Sequence, residues 1–70
     1  MAKNNLKEVL VKEGISQAKL ANVISVSTGT INKVSNQKKK ASPTMEHRIV
    51  KGISKIAGHE YIHIQIFPNS

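Results

Sequence analysis

Five polar side chains, Thr28, Thr30, Asn32, Lys33 and Asn36, fall in one short stretch that holds no carboxylate. Groups of this kind suit the edges of nucleic-acid bases. A threonine methyl packs on a thymine methyl, an Asn amide pairs with adenine, and a Lys ammonium donates to guanine. Gln17 and Ser27 stand where helices should begin. Lys38, Lys39 and Lys40 follow and supply point charges for a phosphate backbone. Each assignment has a plainer rival: Ser27 as a helix cap alone, the readers as solvated surface, the lysine run as a loop kept polar for solubility.

The elements that must position these groups are two short helices joined by one tight turn. The Ser16 hydroxyl can accept from a free amide of a first turn, so a helix is predicted from Gln17, with Leu20 packing back on Ile15 as a hydrophobic staple. Leu20, Ala21 and Ile24 then share an apolar face, flanked by Val23, while Lys19 and Asn22 face water. Ala21 is small where a neighbouring helix must come close. The same entry device recurs as Val26, Ser27 and Ile31. With the two caps eleven residues apart, about three residues remain for the connection, which is the helix-turn-helix spacing. Ile31 and Val34 anchor the second helix.

With Gln17, Leu20, Ala21, Val26, Ser27, Ile31, Val34 and Asn36 in these positions, the segment resembles the helix-turn-helix of the phage Cro/repressor family of DNA-binding proteins (XRE-like), over roughly residues 3 to 57. The resemblance implies an all-α, compact four-helix, lambda-repressor-like domain whose recognition helix, about Ser27–Asn36, enters the major groove. It also implies phosphate contacts from Gln17, Ser27 and Thr28. Two positions depart from the family pattern. The family places a left-handed glycine at the turn where this chain has Ser25, so Ser25 either carries about 1 kcal/mol of strain there or bends the turn otherwise. Gly29 stands where the family commonly has a long polar side chain, which weakens or relocates base reading at that point.

Seventy residues make one small domain, and without cysteine neither a disulfide nor a thiolate metal site can staple it. A chain of this size buries about 60% of its unfolded surface, so a second copy completing the core is a fair expectation. Eleven bases against four acids give a formal charge of +7, which favours polyanionic partners. All the bases but Arg48 are lysine, and lysine lacks the planar fork that reads guanine, so strong salt dependence with modest base discrimination is expected. No segment approaches the length of a membrane span and the N-terminus has no long apolar run, so a soluble, cytoplasmic protein with no membrane partner is expected.

The remaining sequence reads as support. Asn5 with Glu8 forms a variant capping box for a first helix carrying Leu6, Val9 and Leu10 and ending before Gly14. Ser42 and Pro43 open a later helix, and Met45, Ile49, Ile53 and Ile56 give it one apolar stripe that stops at Gly58. Gly52 inside that helix costs about 1 kcal/mol relative to alanine, tolerable if a neighbouring helix approaches closely there. Residues 1–58 are thus expected to form the DNA-binding domain and 59–70 a C-terminal extension. In that extension Ile62, Ile64 and Ile66 alternate with His63 and Gln65 between Tyr61 and Phe67, the period of a half-buried strand. A lone strand needs a partner, so an antiparallel ribbon across a homodimer, through Tyr61–Phe67, is the expectation. The family resemblance implies instead a loop or short helix covering the core.

Other chemistry is set aside. His59 and His63, four apart, would lie about 13 Å apart along a strand and hold no zinc there. The sequence has no glycine-rich phosphate loop, paired carboxylates or nucleophile triad, and Ser42, Thr44 and His47 fit a helix start, so neither enzyme activity nor a cofactor is expected. Two functions remain open. One is a sequence-specific regulator binding double-stranded DNA as a dimer. The alternative is an antitoxin-like interaction protein that holds a partner protein through its tail or fourth helix and autoregulates its own promoter.

Overall fold

The computed structural model describes residues 4–68, and among them the chain forms five helices and no strand: α1 (Leu6–Glu13), α2 (Gln17–Ile24), α3 (Thr28–Ser35), α4 (Pro43–Ala57) and α5 (His63–Ile66). The all-α expectation therefore holds. Serine starts three of these helices. Ser16, Ser27 and Ser42 each accept, through the side-chain oxygen, from the amide three residues on, at 3.0 Å from Lys19, 3.1 Å from Thr30 and 3.2 Å from Met45. Pro43 occupies the first position of α4, where a missing amide hydrogen costs nothing.

The first helix starts differently from the Asn5–Glu8 capping box expected of it. Asn5 caps α1 by position but makes no side-chain capping bond. The neighbouring Asn4 does that work, its Oδ1 accepting from the Leu6 amide at 3.0 Å while its Nδ2 donates to the Val34 carbonyl at 3.0 Å. Asn5 turns to the tail instead, its amide donating to the Ile66 carbonyl at 2.7 Å and its side chain to the Gln65 carbonyl at 3.3 Å.

Leu6, Leu20, Ile31, Val34, Ile49, Ile53 and Ile66 are fully or almost fully buried in one core to which every helix contributes. On α4 the stripe has the expected spacing, with Ile49 and Ile53 at its buried centre and Met45 and Ile56 partly covered towards its ends. Gly52 lies against α2. A Cβ there would stand 2.5 Å from Ile24 Cγ2 and 3.1 Å from Leu20 Cδ1, so the α2–α4 crossing is set at a distance only glycine permits.

The tail corrects the strand expectation. Residues 63–66 close a single helical turn, and Gln65 Oε1 accepts from the Ile62 amide at 2.7 Å. Tyr61, Ile66 and Phe67 turn into the chain's own core, while Ile62 and Ile64 stay exposed. The physical reason is that one turn, with the Asn5 bonds to Ile66 and Gln65, pairs much of the tail's backbone within the chain, and burial of Tyr61, Ile66 and Phe67 stabilises it. Among the described residues no helix is long and apolar enough to cross a membrane.

Candidate nucleic-acid interface

The connection between α2 and α3 is Ser25-Val26-Ser27, and each residue in it has a defined task. Ser25 takes the left-handed conformation, φ 60°, ψ 46°, that the turn demands. The helix is then closed by a paired hydrogen-bond arrangement, the Val26 amide donating to the Ala21 carbonyl at 2.9 Å and the Ser25 amide to Asn22 at 3.3 Å. Val26 lies half-buried against the core, and Ser27 caps α3. This pins the angle between the two helices within three residues.

Along α3, Ile31 and Val34 are fully buried and fix one face inward. Thr28, Gly29, Asn32, Lys33 and Asn36 are exposed, and Thr30 is intermediate. The expected site residues divide into groups by their bonds. Gln17, at the first position of α2, donates from Nε2 to Ser35 Oγ at 3.2 Å and accepts on Oε1 from Asn32 Nδ2 at 3.2 Å. It therefore joins the start of α2 to the exposed side of α3 and orients the Asn32 amide. Ser27 and Thr30 share a hydroxyl–hydroxyl bond of 2.8 Å, which ties the Thr30 hydroxyl to the cap of α3. Gly29 has only Ser27 Oγ near it, at 4.0 Å from where a Cβ would stand, so its absent side chain leaves bare helix backbone on this surface.

The lysines divide as well. The Lys33 carbonyl accepts from the Lys38 amide at 2.8 Å and the Lys39 amide at 3.3 Å, so the chain folds back over the end of α3 and gathers Lys33, Lys38 and Lys39 there. Lys40 stands apart, beside Ala41, Pro43, Glu46 and His63 on the α4 and tail side. Sequence reasoning missed what steers this fold-back. Gln37 sits at φ 63° in the left-handed region. Its Nε2 donates to the Asn4 carbonyl at 3.0 Å, and its Oε1 accepts from the Asn4 amide at 3.0 Å. Buried Asn4 and Ser35 complete the tie, Ser35 donating to the Asn32 carbonyl at 3.0 Å. The sequence around them carries no signal of this tie, since Asn4 stands between Lys3 and Asn5 and Gln37 between Asn36 and Lys38, and the two partners are 33 residues apart.

The electrostatics of the surface follow from where the acids are. Glu8, Glu13, Glu46 and Glu60 are the only ones, so residues 14–45 carry five lysines and no counter-charge. Glu13 and Glu46 are engaged by the tail, through His59 at 2.9 Å and His63 at 2.8 Å. Tyr61 also donates its hydroxyl to Glu13. That hydrogen bond, opposed by burial and helped by His59, holds the Glu13 carboxyl below its ordinary value, and the same carboxylate pushes the Tyr61 phenol above its own. His59 and His63 thus each face a carboxylate, and among the described residues no group of three or more His, Cys, Asp or Glu is placed to hold a metal. No protein-family model, no curated protein and no solved structure matches the chain, so the family resemblance rests on the residues quoted for it.

Proposed function

We propose that the chain is a sequence-specific double-stranded DNA-binding regulator of the Cro/repressor kind, a lambda-repressor-like domain that presents α3 to the major groove. The observation that carries this is the pairing of two serine-capped helices across a three-residue turn, with an outward α3 surface of Thr28, Asn32 and Lys33 that is free of acid. The Gln17–Asn32 bond gives that surface a preset amide, which lowers the entropy of ordering it on a base. Lys33 stands beside the readers, and Lys38 and Lys39 flank them at the helix end, where they would meet the phosphates bordering the groove. Ser27 and Thr28 lie at the start of α3, whose unpaired amides attract phosphate.

As a dimer, two such helices would reach successive major grooves about 34 Å apart on a near-palindromic site. Of the segment expected to join the copies, Ile62 and Ile64 are the apolar side chains left outside, and a second copy would meet them. Selection of bound duplexes from a random pool at two salt concentrations tests the whole reading. An enriched site with twofold symmetry is expected. Lys33→Ala should change the preferred sequence, whereas Lys38→Ala should lower the slope of log affinity against log salt by roughly 0.9. Unchanged affinity of both variants for every duplex would refute the proposal.

A further inference from the structure

Arg48, Lys51 and Lys55 lie at i, i+3 and i+7 on α4, which places them along one side of the helix over about 10 Å. With His47 they form one wall of an open groove of about 450 Å³ at the α2–α4 junction. Val23, Ile24 and Ser25 form the opposite wall, with Gly52 between. Val23 and Ile24 are only partly buried, so part of their apolar surface is left facing the groove. No acidic side chain lines this groove, and the ion pairs among the described residues join Glu13 and Glu46 to histidines, leaving Arg48, Lys51 and Lys55 without a counter-ion. None of Thr28, Asn32, Lys33 or Lys38 takes part in it.

We propose that this groove binds an acidic amphipathic helix of a partner protein. Three features of the groove select that occupant. Cations spaced at i, i+3 and i+7 match carboxylates repeated at the same helical spacing on an opposing helix. Arg48 can take a carboxylate with two parallel bonds, which a point charge cannot. Val23 and Ile24 give an apolar wall that a phosphate backbone has no use for, whereas one or two leucine-sized side chains laid against them would remove that wall from water. The inference stands whether or not α3 reads DNA, and it supplies the kind of surface that the interaction-protein alternative requires.

The test uses the full chain and a synthetic peptide with leucines at i, i+4 and i+7 on one face and glutamates flanking them. Two control peptides carry Gln for every Glu and Ser for every Leu. Amide and methyl NMR shifts on titration near physiological salt should concentrate at Val23, Ile24, Gly52 and the Arg48 to Lys55 side of α4. Both controls, and the combined Arg48→Gln, Lys51→Gln and Lys55→Gln variant, should each weaken binding on the order of tenfold. A combined Lys33→Gln and Lys38→Gln variant should leave the peptide's affinity within about threefold, since those charges lie outside the groove. Absence of shifts in the groove overturns the proposal. So does a serine control that binds as well as the leucine peptide, because attraction is then only diffuse charge. A loss of duplex-DNA affinity in the α4 variant as large as that from Lys33 and Lys38 would make the groove part of a phosphate surface and would also overturn it.

Discussion

The two turns of the N-terminal half, Gly14-Ile15-Ser16 and Ser25-Val26-Ser27, are the same object built twice. In both, a left-handed residue ends a helix, an apolar residue follows, and a serine caps the next helix. In both, the apolar residue donates its amide to the carbonyl five residues back at 2.9 Å, Ile15 to Leu10 and Val26 to Ala21. Each apolar residue thus closes one helix and meets the core just before the next begins. The difference is one Cβ: φ is 67° at Gly14 and 60° at Ser25. The chain meets the backbone requirement freely at the first turn and under strain at the second, the one that sets the angle of α3. What fixes the turn is therefore the pair of helices around it, and glycine only lowers its energy.

The harshest way to break this comparison is to remove the inner residue of each expected staple. Leu20→Ala and Ile31→Ala each delete a fully buried side chain, and each is expected to cost about 2–5 kcal/mol in urea unfolding. If the helices hold the turns, both variants should lose stability comparably although one turn has glycine and the other does not. Next in size is Gly52→Ala. Its new methyl meets Ile24 at 2.5 Å, on the helix that leads into the second turn, so a loss of about 1–3 kcal/mol is expected, reduced by alanine's better helix propensity.

Exchanging the turn residues sharpens the comparison further. Ser25→Gly should gain, and Gly14→Ser should lose, about 1 kcal/mol each, and the double exchange should return near the starting stability. Nothing lies within 4 Å of a Cβ at Gly14, so that loss would be conformational alone. A chain in which Ser25→Gly gains nothing would show that the second turn carries no strain.

The smallest effect separates the turns by pH. Glu13, next to Gly14, accepts from Tyr61, and the second turn has no such carboxylate nearby in sequence. Glu13's lowered value means its contribution is complete above the ordinary 4.5 and is lost as pH falls through the folded value below it. Tyr61's raised value means its contribution is present below 10.0 and is lost as pH rises through the folded value above it. Tyr61→Phe should therefore flatten both limbs of the urea midpoint measured from about pH 3 to about pH 11, while Ser25→Gly shifts the whole curve.

The serine caps and the α4 stripe were legible because each is a local pattern of residue types at fixed spacing, and the glycine at position 52 pointed to the close approach of α2. The left-handed Ser25 was anticipated only through the resemblance, which puts a glycine at that position, since serine itself does not announce that conformation. The tail was misread because the alternation of Ile62, Ile64 and Ile66 fits a strand as well as one helical turn, and four residues are too few for a period to decide. Tertiary bonding from Asn5 decided instead. Asn4, Ser35 and Gln37 were illegible as parts of the site because their partners lie up to 33 residues away.

The Gln37 tie also has a bearing on charge. Where Lys38 and Lys39 leave the molecule is decided by an uncharged amide bonded to Asn4, so the lysines' bearing can be altered without touching a single ionisable group. Two sequences with identical charge and identical lysine positions would then present different electrostatic footprints to a polyanion, according to whether residue 37 can hold that clasp.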